Sequence, residues 1–75
     1  MVEFVADIRK AFGQTVRARR RGRGMTQAAL GRRSRMSGKS IGEIERGVAN
    51  PSLLTMQAVA KALGVGLRDL VATKR

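Results

Sequence analysis

Between positions 25 and 45 the chain has the pattern of two short helices separated by a turn, with polar side chains along the second. Thr26 and Ser37 can each cap a short helix, because a hydroxyl oxygen there accepts a hydrogen bond from an N–H group of the first turn. In the second of these helices, Ile41 and Ile44 form an apolar stripe at helical spacing. Such a helix can pack on its own domain while it presents donors and acceptors to base edges in the major groove. The residues opposite the stripe are Gly38, Lys39, Gly42 and Glu43.

The side chains that can read bases lie along this second helix. Lys39 can donate to guanine O6 or N7 or to a phosphate, and a point-charge ammonium does not distinguish between them. Glu43 is unfavourable beside a polyanion unless it accepts a hydrogen bond from cytosine N4 or braces a neighbouring arginine. The glycines offer no side chain, which leaves Lys39 and Glu43 as the main readers. The full set of predicted base-reading positions is Ser37, Gly38, Lys39, Ser40 and Glu43.

The charge of the chain is strongly positive and unevenly distributed. There are 16 lysines and arginines against 5 acidic residues, which gives a formal net charge of +11. Residues 9–35 contain ten of the basic residues and none of the acidic ones. A surplus of this size predicts a polyanionic partner, either nucleic acid or an anionic surface. The scarcity of aromatic residues argues against platforms that stack single-stranded bases, so duplex DNA is favoured over RNA.

The residue types that are missing exclude several classes of protein. The chain has no Cys and no His, which removes disulfides, structural zinc, thiol nucleophiles and the usual general base. We therefore predict neither an enzyme nor a bound cofactor or metal. No apolar run approaches the roughly 20 residues that cross a bilayer, and acids occupy the N-terminus where a signal peptide would be basic. The prediction is one soluble cytoplasmic domain over residues 1–75, associated with the nucleoid and with no membrane partner.

The first predicted helix rests on apolar side chains that recur every four positions, at Phe4, Ile8, Phe12 and Val16. This pattern predicts a helix over residues 2–21, although Gly13 within it costs about 1 kcal/mol relative to Ala. Glycines at positions 22 and 24 end the helix.

The remaining chain divides into four more helices. A turn near residues 34–37 separates the second from the third, and Gly47 closes the third. After a turn at residues 48–51, Ser52 can cap a fourth helix that Gly64 ends. A short fifth helix follows over residues 67–72, which gives an all-α compact bundle of five helices. The predicted buried face of the fourth helix is Leu53, Met56, Ala60 and Leu63.

Residues 12–71 resemble the phage repressor and Cro-type (XRE) family of helix-turn-helix proteins without a gap. The segments MTQ with Leu30, IERG over residues 44–47 and NPSL over residues 50–53 carry the resemblance, and their mutual spacing makes it specific. The small size and the KAFGQTVRARR opening look most like the controller proteins of restriction-modification systems. The resemblance implies a lambda-repressor-like five-helix fold that binds double-stranded DNA and regulates transcription.

The resemblance also implies contacts with DNA phosphates. Gln27 matches the family's phosphate-binding glutamine at the start of the second helix, and the alternative role is simple capping. In the family the glutamate of the ERG segment points inward, so Glu45 would pair with Arg20 or Arg17. Asn50 either donates to a phosphate or forms a turn. The predicted phosphate contacts are Arg17, Gln27, Arg46 and Asn50.

Five positions depart from the family pattern. Gly31 stands where a small residue such as Ala is usual, and Ser34 and Arg35 stand where Leu and then Gly are common. Gly38 and Gly42 stand where many members carry bulky polar side chains. These changes leave the fold assignment intact, but they remove side chains from the base-reading surface.

The fourth and fifth helices carry more apolar residues than one buried face requires. Such a surplus on a small domain marks an interface. Many family members dimerise here, with recognition helices spaced about one helical turn of DNA, ~34 Å. Leu67 and Leu70 can instead close the core, and we expect this of at least one of them. The predicted dimer residues are Leu54, Val65, Leu67 and Val71.

The sequence thus predicts a dimeric, sequence-specific transcriptional regulator on a palindromic operator, with RNA polymerase as a further candidate partner. The rival is an antitoxin, whose main partner is a toxin and whose helix-turn-helix autoregulates its operon. The lack of a long tail that could wrap a toxin disfavours this rival. A sequence-indifferent polycation is a third possibility, but non-specific binding needs charge and no capped helix-turn-helix.

Overall fold

The computed structural model describes the backbone of residues 2–71 and the side chains of residues 8–71. Within that range the chain forms five α-helices and no strand, which confirms the predicted fold class. None of these helices has the length and hydrophobicity that a membrane span needs. The core position of Phe4 and the extension of the last helix to Ala72 lie outside the described residues. The helices are α1 (Val2–Gly22), α2 (Gln27–Arg33), α3 (Gly38–Glu45), α4 (Leu53–Leu63) and α5 (Leu67–Val71).

Hydroxyl side chains cap the starts of α2, α3 and α4, as the sequence predicts. The Thr26 Oγ1 accepts a hydrogen bond from the Ala29 N–H over 3.0 Å. The Ser37 Oγ accepts from the Ser40 N–H over 3.0 Å, and the Ser52 hydroxyl caps α4 in the same way. Each cap satisfies a donor that the helix cannot, and a cap of this kind contributes about 1 kcal/mol to stability.

Helices α1 to α4 end in the same local structure, in which one residue adopts a left-handed backbone conformation. The next N–H group then reaches back to a carbonyl of the last turn, which satisfies a free acceptor. In α2 the Met36 N–H donates to the Gly31 carbonyl over 2.6 Å, and Arg35 is the left-handed residue, with φ of +60°. The other three helices have glycine in this place, namely Gly24, Gly47 and Gly64.

Apolar side chains from all five helices form the core. Two predicted core residues are instead exposed, because Ile8 is 42% and Leu53 is 65% accessible. Leu53 is the first residue of α4, and helical side chains tilt toward the N-terminus, so this one projects past the helix end. Leu70 is buried and closes the core, whereas Leu67 packs against it at the edge. The buried set is Phe12, Val16, Leu30, Ile41, Ile44, Val59, Ala60, Leu63 and Leu70.

Two close backbone approaches hold α3 in place. At Gly13 the end of α3 lies directly on α1, where an added methyl group would be 2.8 Å from the Glu45 carbonyl oxygen. At Gly31 the turn folds back over α2, where a methyl group would be 2.7 Å from the Met36 carbonyl oxygen. Real Cβ atoms do not approach backbone this closely. Glycine at these positions therefore lets α3 pack between α1 and α2 and leaves its other face outward.

Candidate nucleic-acid interface

The outer face of α3 presents Lys39 and Glu43. Lys39 is exposed and Glu43 is half-buried. The hydroxyl groups of Ser37 and Ser40 are joined to each other, since the Ser37 Oγ donates to the Ser40 Oγ over 3.0 Å and caps the same residue. The two serines stabilise the start of the helix, and Lys39 and Glu43 carry the charged groups of its outer face.

Glu43 does not brace an arginine within the part of the chain that the structure describes, where the one ion pair joins Arg20 and Glu45. Its side chain borders an open groove of about 330 Å³ between α3 and the loop that leads to α4. Ser40 and Asn50 line the same groove. The structure therefore gives no support to the bracing role and leaves the carboxylate as an acceptor at the surface.

Gly42 is not on the outer face, contrary to the sequence analysis. It is buried, because the side chains of Gln27 and Arg46 cover it. A methyl group at Gly42 would lie 3.3 Å from the Arg46 Nη1 and 3.4 Å from the Gln27 Oε1. Gly38 is half-buried in a similar way, since its methyl group would lie 3.1 Å from the Ala28 Cα. Both glycines thus permit close packing, because a side chain at either position would meet these neighbouring groups.

Glu45 is the centre of a buried polar network that joins three helices. Its side chain is 3% exposed. The Arg20 Nε donates to Glu45 Oε2 over 2.6 Å and the Nη2 donates to Oε1 over 3.2 Å. Arg20 also donates to the Met25 carbonyl over 2.6 Å, and the Gln27 Nε2 donates to Glu45 Oε1 over 3.0 Å. The partner of Glu45 is therefore Arg20 and not Arg17, and hydrogen bonds compensate the burial of both charges.

The four predicted phosphate contacts lie in different surroundings. Arg17 is exposed on α1, less than one turn before Arg20. Gln27 does not cap α2, because Thr26 does so, and its amide, like the Arg46 guanidinium, covers Gly42. Asn50 is exposed in the loop before α4, across a groove from Glu43. The structure thus places both Gln27 and Arg46 over Gly42, an arrangement that the sequence analysis missed.

A signal that Arg46 covers Gly42 is present in the sequence. Side chains on a helix point toward its N-terminus, so a residue covers the surface four positions earlier. Arg46 stands four positions after Gly42, where there is no side chain to compete for the space. A long side chain four residues after a glycine therefore predicts that the glycine is covered.

The predicted dimer residues divide into exposed and half-buried pairs. Leu54 is 82% and Val71 is 45% accessible. Val65 and Leu67 are half-buried and pack against the core. The structure adds Val48 and Leu53 to the large exposed apolar residues, and the sequence analysis assigned neither to an interface.

Comparison with known proteins gives the family of the chain. A helix-turn-helix family model matches residues 16–70. The uncharacterized HTH-type transcriptional regulator y4dJ of Sinorhizobium fredii is 38% identical over 65 residues, which are 87% of this chain and 84% of that protein. The immunity repressor protein of Bacillus phage phi105 is 41% identical over 59 residues. That match covers 79% of this chain but only 41% of the repressor, so the chain spans less than half of the repressor's length.

Solved structures agree with the sequence relatives. The restriction-modification controller protein C.AhdI from Aeromonas hydrophila superposes with a TM-score of 0.81 at 34% identity, over 83% of this chain and 94% of that one. The clp gene regulator ClgR from Corynebacterium glutamicum gives a TM-score of 0.81 at 33% identity, over 84% of this chain and 67% of that one. The chain therefore belongs to the XRE-type helix-turn-helix family of DNA-binding transcriptional regulators.

Proposed function

We propose that the protein is a sequence-specific regulator of transcription that binds a palindromic operator on double-stranded DNA as a homodimer. The orientation of α3 carries this proposal. Gly13 and the Arg20–Glu45 pair fix its inner face, while Lys39 and Glu43 lie on the outer one. A rigid helix with a donor and an acceptor on its outer face meets the geometric requirement for reading base edges in the major groove.

Lys39 and Glu43 are the proposed base readers. They are four residues apart, so they lie on one face about 6 Å from each other along the helix axis. Successive base pairs are about 3.4 Å apart, so the two side chains reach different base pairs. Lys39 would donate to guanine O6 or N7, and Glu43 would accept from cytosine N4. Beside them lies the capped start of α3, formed by Ser37, Gly38 and Ser40.

Arg17, Gln27, Arg46 and Asn50 are the proposed phosphate contacts. Gln27 has two amide hydrogens, and its hydrogen bond to Glu45 uses one of them. The second hydrogen is available to a phosphate oxygen, next to the guanidinium of Arg46. Contacts of this kind position a protein on the duplex without reading its sequence.

The proposed dimer forms through the exposed apolar residues of α4 and α5. Leu54 and Val71 would lie in the seam, with Val65 and Leu67 at its base. Burying such side chains stabilises an interface by roughly 25 cal/mol for each Å² removed from water. The names of the relatives, an immunity repressor and a restriction-modification controller, support a role in controlling a promoter. We place this role in the cytoplasm, on the nucleoid.

A selection from random duplexes tests the proposal. The wild type should enrich an inverted repeat. Lys39→Ala should relax the preference at one base pair of each half-site, with a loss of about 1–3 kcal/mol in discrimination. Lys61→Ala is the matched control, because it removes the same charge from α4 and should leave the preferred site unchanged. Failure to enrich any site, or equal effects of the two variants, would contradict sequence-specific binding through α3.

A further inference from the structure

An open groove of about 530 Å³ lies between the end of α2 and the outer face of α4. Small side chains form its floor, and long basic side chains lie at its edges. Ser34 is buried at its base, and the basic residues around it are exposed. The lining residues are Arg33, Ser34, Arg35, Ala58, Lys61 and Ala62.

The groove is separate from the proposed DNA-reading surface. Its lining comes from the last turn of α2, the turn that follows and α4, and not from α3. Arg33 is six residues after Gln27, which places it about 9 Å further along α2. The groove therefore shares no lining residue with the proposed base-reading or phosphate-binding positions.

Two residues that line this groove are unusual for their places in the fold. Arg35 has a φ of +60°, a conformation that favours glycine, and glycine fills the equivalent place after α1, α3 and α4. Ser34 is buried, and its hydroxyl donates to the Leu30 carbonyl over 2.6 Å. A larger apolar residue there would fill the space that the serine leaves. A non-glycine residue in this conformation is uncommon, and it motivates the hypothesis that the Arg35 side chain has a role of its own.

We propose that this groove binds an acidic peptide segment of a partner protein. Guanidinium groups bind carboxylates through paired hydrogen bonds, and Arg33, Arg35 and Lys61 offer three cations around one recess. The methyl groups of Ala58 and Ala62 lie one helical turn apart and give the floor an apolar surface. That surface suits the aliphatic parts of Glu and Asp side chains. The proposal of this peptide site does not depend on the proposal that the protein binds an operator.

Fluorescence anisotropy with the full chain and a labelled peptide of Glu, Asp and Ala tests the proposal. Arg35→Gly should weaken peptide binding about tenfold, because a charge-assisted hydrogen-bonding partner is lost. Ala58→Met keeps the charge but fills the floor, and it should also weaken binding. Arg19→Gln is the matched control: it removes one exposed positive charge from α1, and binding should stay within about twofold.

Several outcomes would overturn the proposal. The peptide should bind the wild type at physiological salt, and failure to bind refutes the site. Equal weakening by Arg35→Gly and Arg19→Gln would show attraction to net charge alone. If Arg35→Gly weakened a random duplex as much as it weakened the peptide, the groove would be a nucleic-acid contact. Circular dichroism confirms that each variant is folded, and Ala58→Met keeps the test decisive should one charge variant unfold.

Discussion

The guanidinium group of Arg20 forms two hydrogen bonds with the carboxylate of Glu45, over 2.6 and 3.2 Å, and so ties α1 to the last residue of α3. Gln27 adds a third hydrogen bond to the same carboxylate from the start of α2. One buried anion therefore joins the helix-turn-helix to the helix that precedes it. The angle at which α3 presents its outer face depends on this junction.

Arg20→Ala should destabilise the fold by about 3 kcal/mol, because it leaves the buried Glu45 carboxylate without its positive partner. Urea unfolding followed by circular dichroism measures the loss. Arg17→Ala removes an equal charge from an exposed site of the same helix and should change stability by less than about 0.5 kcal/mol. Equal effects of the two variants would show that the pair contributes nothing beyond charge.

Gly13→Ala should destabilise the protein by about 1–3 kcal/mol although alanine favours helix formation. The added methyl group would meet the carbonyl oxygens at the end of α3. Gly22→Ala is the control within the same helix, since a methyl group there meets nothing within 4 Å. Thermal unfolding should show a lower midpoint for the first variant and an equal or higher one for the second. A stable Gly13→Ala protein would mean that α1 and α3 are not in close contact.

Arg35→Gly should stabilise the fold by about 1 kcal/mol, because it removes an L side chain from a left-handed conformation. Gly24→Ala makes the opposite change, in a place where φ is +67° and no atom lies within 4 Å of the new methyl group. It should cost a similar amount. Chemical unfolding of both variants provides the measurement. A destabilised Arg35→Gly protein would show that the arginine side chain contributes more than its backbone conformation costs.

Arg17→Ala should weaken binding to specific and random duplexes by similar factors, since a phosphate contact does not read sequence. It should also reduce the slope of binding against salt concentration by about 1. Titration of both duplexes at several salt concentrations gives both quantities. Selective loss on the specific site would place Arg17 among the base readers. Gln27→Ala should likewise weaken binding to the two duplexes by similar factors. The folding stability of this variant is measured separately, because Gln27 also contacts Glu45.

Leu54→Glu should yield a folded monomer that binds a full inverted repeat more weakly. The side chain is 82% exposed, so the charge leaves the core intact but would lie in the proposed dimer seam. Sedimentation velocity and circular dichroism separate assembly from folding. Gln14→Glu adds the same charge at an exposed position of α1, outside the two helices of the proposed seam, and should not affect assembly. A wild type that stays monomeric at high micromolar concentration would refute the dimer.

The sequence predicts the helices well because their signals are local. Thr26, Ser37 and Ser52 cap helices through contacts three residues away, and the glycines after α1, α3 and α4 act on their own backbone. Such signals do not depend on the rest of the fold.

The sequence predicts less of the site, since burial is set by distant segments. The periodicity of α3 does not show that Gln27 and Arg46 cover Gly42. The sequence allows either Arg17 or Arg20 as the partner of Glu45. Only the packing of α1 on α3 shows that the partner is Arg20. Leu53 fits the apolar stripe of α4, yet its position at the helix end exposes it.

The caps of α2, α3 and α4 are all neutral hydroxyl groups. Aspartate caps a helix about as well as serine, but it would add negative charge to each helix start. The first turns of these three helices contain no acidic side chain either. Each start therefore keeps the partial positive charge of its helix dipole, about half an elementary charge. The backbone thus adds to the attraction for a polyanion. Neither a change of pH nor the replacement of an arginine removes this contribution, because it comes from peptide dipoles.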